Sequence, residues 1–203
     1  MRLIPASSAL VALTLAACSG EPTTTATTTA TEDATPPAGA EAAMARAPVG
    51  ASANAPLTNG EGALAGSASF RQGPQGVVIR VEATGLTPGW HGIHLHAVGT
   101  CDTPGFTSAG SHVHGGSDPA VHGLLNADAT DSGDLPNVYA DAQGRVNAEI
   151  FTPFARLADT GPGVGLMDTD GSAILIHAGP DDYSSQPIGG SGDRVACGVL
   201  AAG

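Results

Sequence analysis

Residues Val77-Val78-Ile79-Arg80-Val81-Glu82-Ala83 put Val77, Ile79 and Val81 on one side of the chain and Arg80 and Glu82 on the other. A repeat of two is the mark of a strand with one buried face. Gly73-Pro74-Gln75-Gly76 reads as a turn, and residues 63–70, on its far side, alternate weakly. Further strands are predicted at 92–97, 144–151, 172–178 and 194–200, and no stretch carries the apolar stripe of a helix. Short strands punctuated by Gly and Pro point to an all-β, antiparallel sandwich or barrel. With 29 Gly, 15 Pro and only 3% aromatic residues, a dense helical core is excluded.

Charge narrows the partners. Nineteen acidic residues face seven basic ones, all Arg, for a formal net charge of −12. Phosphate neutralisation dominates affinity for nucleic acid, so no nucleic-acid partner is expected. Leu3 to Ala17, 15 residues preceded by Arg2, falls short of the roughly 20 that span a bilayer. It reads as a secretory signal over residues 1–17. Its end, Leu15-Ala16-Ala17-Cys18, resembles the lipobox of bacterial lipoproteins. That resemblance implies cleavage before Cys18, acylation there and a membrane anchor on an exported protein of the cell envelope or periplasm. A plain signal followed by an incidental Cys is the alternative. Residues 18–55 are Thr, Ala, Pro, Gly and scattered acid, too poor in apolar surface to offset their ordering entropy. They read as a flexible tether, and the folded domain is expected at 56–203.

Residues 101–136 and 179–193 are long, polar and Gly-rich; loops of that length inside a domain are usually functional. The histidines gather around the first, with six of the seven inside the 32 residues from His91 to His122. In Gly92-Ile93-His94-Leu95-His96 a strand turns Ile93 and Leu95 one way and His94 and His96 the other. Two imidazoles on one face can converge on one ion, and imidazole suits copper and zinc; a pair of surface histidines gives the same pattern. The neighbourhood strengthens the metal reading. His112 and His122 share a loop with Asp131 and Asp134, and His177 ends the apolar run Ile174-Leu175-Ile176. With Ile93 and Leu95 inward, the histidine face of this strand is expected to be open to solvent.

Five stretches together resemble the copper/zinc superoxide dismutase family. They are Gly89-Trp90-His91-Gly92-Ile93-His94-Leu95-His96, Ser108-Ala109-Gly110-Ser111-His112, Gly133-Asp134-Leu135-Pro136-Asn137-Val138, Ile174-Leu175-Ile176-His177 and Arg194-Val195-Ala196-Cys197-Gly198-Val199. They follow the family's order across most of residues 56–203. The resemblance implies a Greek-key β-sandwich or barrel with a metal-binding loop and an anion-guiding loop. It implies copper ligands at His94, His96, His112 and His177, with His112 bridging to zinc, and zinc ligands at His122 and Asp134. Asp181 falls where the family has a carboxylate linking the two ligand sets, and Arg194 where it has an arginine guiding the anion to copper. Cys101 and Cys197 match the family's disulfide. His91 occupies a structural position.

One position departs from the pattern. Nine residues on from His122, the family's third zinc histidine lands on Asp131. Zinc accepts carboxylate oxygen, so His112, His122, Asp131 and Asp134 form a possible set. His114 is a rival, and a site completed by neither is the remaining alternative. The spacing from His112 to His122 is also longer than in the usual eukaryotic members. The implied activity is disproportionation of superoxide to dioxygen and hydrogen peroxide, with copper and zinc as cofactors and the superoxide anion as substrate. A non-catalytic copper- or zinc-binding module of the same fold is the second reading. The chain from residue 56 carries 15 acids against 5 arginines, and residues 179–193 contain no lysine. Steering of an anion is therefore expected to be weaker than in lysine-rich relatives, with a local contribution from Arg194.

Overall fold

A computed structural model describes residues 50–116 and 119–203. The expected signal, Cys18 and most of the expected tether lie outside the described residues. The strands are β1 (Ser52–Asn59), β2 (Leu64–Gly73), β3 (Gly76–Ala83), β4 (Gly89–His91), β5 (Ile93–His96), β6 (Val138–Ala140), β7 (Val146–Thr152), β8 (Ala155–Arg156), β9 (Val164–Gly165), β10 (Ala173–His177), β11 (Arg194–Val199) and β12 (Ala201–Ala202). The main sheet runs β5-β10-β11-β1-β2-β3-β7, with β12 also on β1, and all its pairs are antiparallel. It curls around one core, to which Leu57, Phe70, Ile79, Ile93, Ile150 and Ile176 contribute from six different strands. The expected all-β class and the strand set read from alternation are both present.

The first strand starts earlier than the sequence suggests. β1 opens at Ser52, four residues before the expected domain start, and its inward positions are Ala53, Ala55 and Leu57. Alternating alanines carry almost no hydropathy contrast, so the strand reads as tether. Pro56 faces outward, between the pairing of Ala53 and Asn54 with β12 and that of Thr58 and Asn59 with β11. Its missing N–H therefore falls where that edge of the ladder is already interrupted.

The histidine face of β5 is not open to solvent. All four residues of β5 are buried, His94 and His96 completely. β5 ends the main sheet, and its outer edge is taken by loop backbone. Leu95 N–H donates to Gly133 C=O at 2.9 Å, Val113 N–H to Leu95 C=O at 2.9 Å, and Ala97 N–H to Ser111 C=O at 2.9 Å. Gly133 lies so close to Leu95 C=O that a β-carbon would overlap it. The polar loop thus behaves as a broken extra strand, which carries His112 and Asp134 to the histidine face.

Beneath this loop Phe106, Ala109, Ala173, Leu175 and Cys197 form a second, small core with Cys101 beside it. Cys101 and Cys197 are bonded, with Cα atoms 5.8 Å apart and a sequence separation of 96. Closing so long a loop constrains the unfolded chain, by about 4–5 kcal/mol on the chain-entropy model. Denaturant unfolding of the Cys101→Ser/Cys197→Ser double variant is accordingly expected to show a loss approaching that size. A loss below about 1 kcal/mol would mean the bridge adds little to folding.

Candidate metal centre

Three of the buried imidazoles have one ring nitrogen engaged and the other free. His94 Nε2 meets Asp181 Oδ2 at 3.0 Å, His96 Nδ1 meets Gly110 C=O at 3.0 Å, and His177 Nδ1 meets Gly192 C=O at 2.9 Å. Each contact fixes the protonated nitrogen and leaves a lone pair on the other. Burial pushes His96 down to about 2 and His177 down to about 4, and it also lowers His94, so all three rings are neutral. The free atoms, His94 Nδ1, His96 Nε2 and His177 Nε2, are buried without any hydrogen-bond partner, and so is His112 Nε2. These four nitrogens lie within 4.8 Å of one another. Buried polar atoms are rarely left unpaired, and four converging lone pairs on neutral imidazoles are a ligand set for a metal such as copper.

His112 belongs to a second group through its other nitrogen. Its Nδ1 is 2.8 Å from Asp131 Oδ2 and 3.2 Å from Asp134 Oδ1. His122 Nδ1 is 2.6 Å from Asp134 Oδ1 and 3.9 Å from Asp131 Oδ2. The two carboxylates are alike in their outer contacts. Asp131 Oδ1 accepts from Gly133 N–H at 2.9 Å and Asp134 Oδ2 from Gly123 N–H at 2.6 Å, so each offers one oxygen inward. Burial opposes charge on His122 and His112, and the carboxylates around them outweigh it. His122 is pushed up to about 11 and His112 is also raised. His112, His122 and Asp134 offer atoms within 4.8 Å of one another, and Asp131, bonded to His112 Nδ1, sets a second carboxylate beside them; imidazole nitrogen and carboxylate oxygen are donors zinc accepts. His114 joins neither group; its backbone pairs with that of Asp131, and its own Nδ1 is buried without a partner.

Asp181 ties the groups together, with Oδ2 on His94 Nε2 and Oδ1 on His122 Nε2 at 3.1 Å. Its carboxyl stays well below the usual carboxylate range, since hydrogen bonds from both rings and from Tyr183 N–H outweigh its burial. Asn137 exchanges two bonds with the Asp181 backbone, each 2.9 Å. Gly189, at φ +60°, lies where a β-carbon would collide with the Asp181 carboxylate. Arg194 pairs with His177 across the ladder, and its guanidinium donates to Phe106 C=O at 2.6 Å and Gly110 C=O at 2.7 Å. Gly110 C=O is also the partner of His96 Nδ1, which puts the cation one carbonyl away from the outer edge of the His96 ring. The ring of His91 lies between the carbonyls of His177 and Thr87.

Two supporting residues were missed from the sequence. Tyr183, at φ 64°, accepts Asn137 N–H on its hydroxyl at 2.8 Å, and Gln186 holds the backbone of His122. Both make their contacts across 46 residues or more, and no local pattern announces them.

A family model described as copper/zinc superoxide dismutase (SODC) matches residues 64–200. The chain is 52% identical over 149 residues to a superoxide dismutase [Cu-Zn] of Caulobacter vibrioides, a match covering 73% of this chain and 85% of that one. It is 40% identical to superoxide dismutase [Cu-Zn] 2 of Aquifex aeolicus, again covering 73% of this chain and 85% of the relative. A crystal structure of a mutant SOD-like protein from Bacillus subtilis superposes with a TM-score of 0.67 at 36% identity, over 72% of this chain and 96% of that one. Fold, donor geometry and similarity agree: the chain belongs to the copper/zinc superoxide dismutase family.

Proposed function

We infer that the protein disproportionates superoxide to dioxygen and hydrogen peroxide. In this reading His94, His96, His112 and His177 hold copper, and His112, His122, Asp131 and Asp134 hold zinc. The observation that carries it is the His112 ring, whose Nε2 joins the three free lone pairs while its Nδ1 faces the two carboxylates. The four orphaned nitrogens support the copper assignment, and the grouping of His112, His122 and Asp134 supports a second metal beside it, with Asp131 the added carboxylate in this reading.

Copper bound at the four nitrogens supplies a one-electron couple. Two superoxide anions and two protons become one dioxygen and one hydrogen peroxide, one anion giving up its extra electron and the other taking it. Arg194 draws the anion toward His96, because a guanidinium held close to the centre focuses charge that the distant field of the domain repels. In that cycle His112 Nε2 would either hold copper or carry a proton, never both, and in its protonated form would deliver that proton to the reduced oxygen, water supplying the second. The zinc that Asp131, Asp134 and His122 would hold keeps the ring in place on its Nδ1 side while Nε2 is protonated. Asp181 fixes the rings of His94 and His122 by their far nitrogens, a role whose loss commonly costs metal affinity or activity.

A metal-storing module needs the four nitrogens but not a guanidinium beside them, so Arg194 argues for the enzyme. Retention of His122, Asp134 and Asp181 argues against a copper-only variant. The signal-like start and the lipobox-like Cys18 support an exported enzyme anchored in the cell envelope by acyl chains.

Metal analysis separates the candidates for the fourth zinc ligand. Asp131→Ala is expected to hold copper at one per chain while zinc falls well below one. Unchanged zinc would assign the position to another group, with His114→Ala the next variant to assay. For the substrate, Arg194→Ala is expected to lower the rate about tenfold or more, within the range of electrostatic steering, with copper content unchanged. Added salt should slow the wild-type enzyme less than it slows relatives with lysines in this loop. Equal or steeper loss in a side-by-side assay would reject this weaker steering.

A further inference from the structure

The members of the centre are held by their backbones, with one exception. His94 and His96 lie in β5 and His177 in β10. His112 pairs its backbone with His96, Asp134 with His94, and Asp131 with His114. Among the described residues proposed as metal ligands, only His122 has no place in a strand or bridge. Its ring nevertheless meets two fixed partners at once, Asp134 through Nδ1 and Asp181 through Nε2.

We propose that Gln186 is a positioning residue for the zinc half, its side-chain amide standing in for the strand neighbour that His122 lacks. Gln186 Oε1 accepts His122 N–H at 2.9 Å, and Gln186 Nε2 donates to His122 C=O at 2.8 Å. A carboxamide carries the same acceptor and donor as a peptide unit, so one side chain satisfies both ends of the residue. Asn126 Nδ2 adds a longer bond to the same carbonyl, 3.2 Å. The amide is itself held, since Nε2 also reaches Ser184 C=O at 3.1 Å. Its loop is braced by Asp182, which accepts the N–H groups of Ser184 and Ser185 at 2.9 and 2.7 Å. Gly189 N–H closes the turn onto Ser185 C=O at 2.7 Å. The segment that carries Asp181 and leads to Arg194 thereby also sets the main chain of His122.

Gln186 is exposed, so truncating it removes little buried apolar surface, and its effect belongs to the ring of His122 rather than to the core. The inference rests on the two-metal reading above, and the experiment separates the two. The copper- and zinc-loaded protein is challenged with a chromogenic zinc chelator, and the zinc half is separately filled with cobalt for its visible spectrum. Gln186→Ala is expected to release zinc about 10-fold faster or more, in line with other supports of ligand residues, and to shift the cobalt bands. Gln186→Glu keeps the acceptor but loses the donor, and should behave like the alanine variant. The thermal midpoint of the metal-free protein should be the same for all three. Wild-type release rates and cobalt spectra in either variant would overturn the clamp, as would an equal loss of stability in the metal-free state. Wild-type protein that takes up no cobalt beside its copper would refute the two-metal reading itself.

Discussion

The Asp181 carboxylate, shared between His94 Nε2 and His122 Nε2, is the contact on which the geometry of the centre turns. By taking the far nitrogen of each ring it decides which nitrogen of each is left for the interior. His94 then presents Nδ1 to the group of free imidazole nitrogens, and His122 presents Nδ1 to Asp134. Without that contact the neutral ring of His94 could be equally buried and yet offer an N–H group where a lone pair is required. The fold accordingly constrains Asp181 from several directions: Asn137 on its backbone, Tyr183 N–H on its carboxylate, and Gly189 leaving room beside it.

From this contact follows an electrostatic division. On one side, burial keeps His94, His96 and His177 neutral, and His96 and His177 bond outward only to carbonyl groups. On the other, His112 and His122 face carboxylates that outweigh the cost of burying charge. His112 lies at the boundary with one nitrogen on each side. An aspartate in place of a third histidine at position 131 deepens the division, adding negative charge on the Nδ1 side of the shared ring.

Much of this was legible in the sequence wherever a short period carried the information. The alternation of β3 and of the β5 segment named both strands and the inward faces of Val77, Ile79, Ile93 and Leu95. The spacing of His94 and His96, and the apolar run ending at His177, marked the nitrogens that converge. β1 was missed where Ala53 and Ala55 gave no contrast, and β4 and β6, at three residues each, are too short to show a period. The covering of the histidine face was illegible for a different reason. It is made by backbone groups of Ser111, Val113 and Gly133, which every residue but proline possesses, so side-chain pattern cannot report it. Gln186 and Tyr183 likewise act on partners far away in the chain.

The small core beneath the loop connects the disulfide to the handling of substrate. Phe106 and Ala109 are buried there with Cys197, and the carbonyls that hold Arg194 belong to Phe106 and Gly110. The Cys101–Cys197 bond thus fastens the loop that supports the guanidinium to the strand from which that guanidinium extends. From residue 56 onward the chain carries 15 acids and no lysine, so a mobile arginine would spend much of its time near carboxylates at the surface. Two carbonyl acceptors remove that freedom while leaving the positive charge uncompensated, since neither carries a formal negative charge. A single cation can then dominate the short-range field at the centre in a domain whose net charge repels its own substrate.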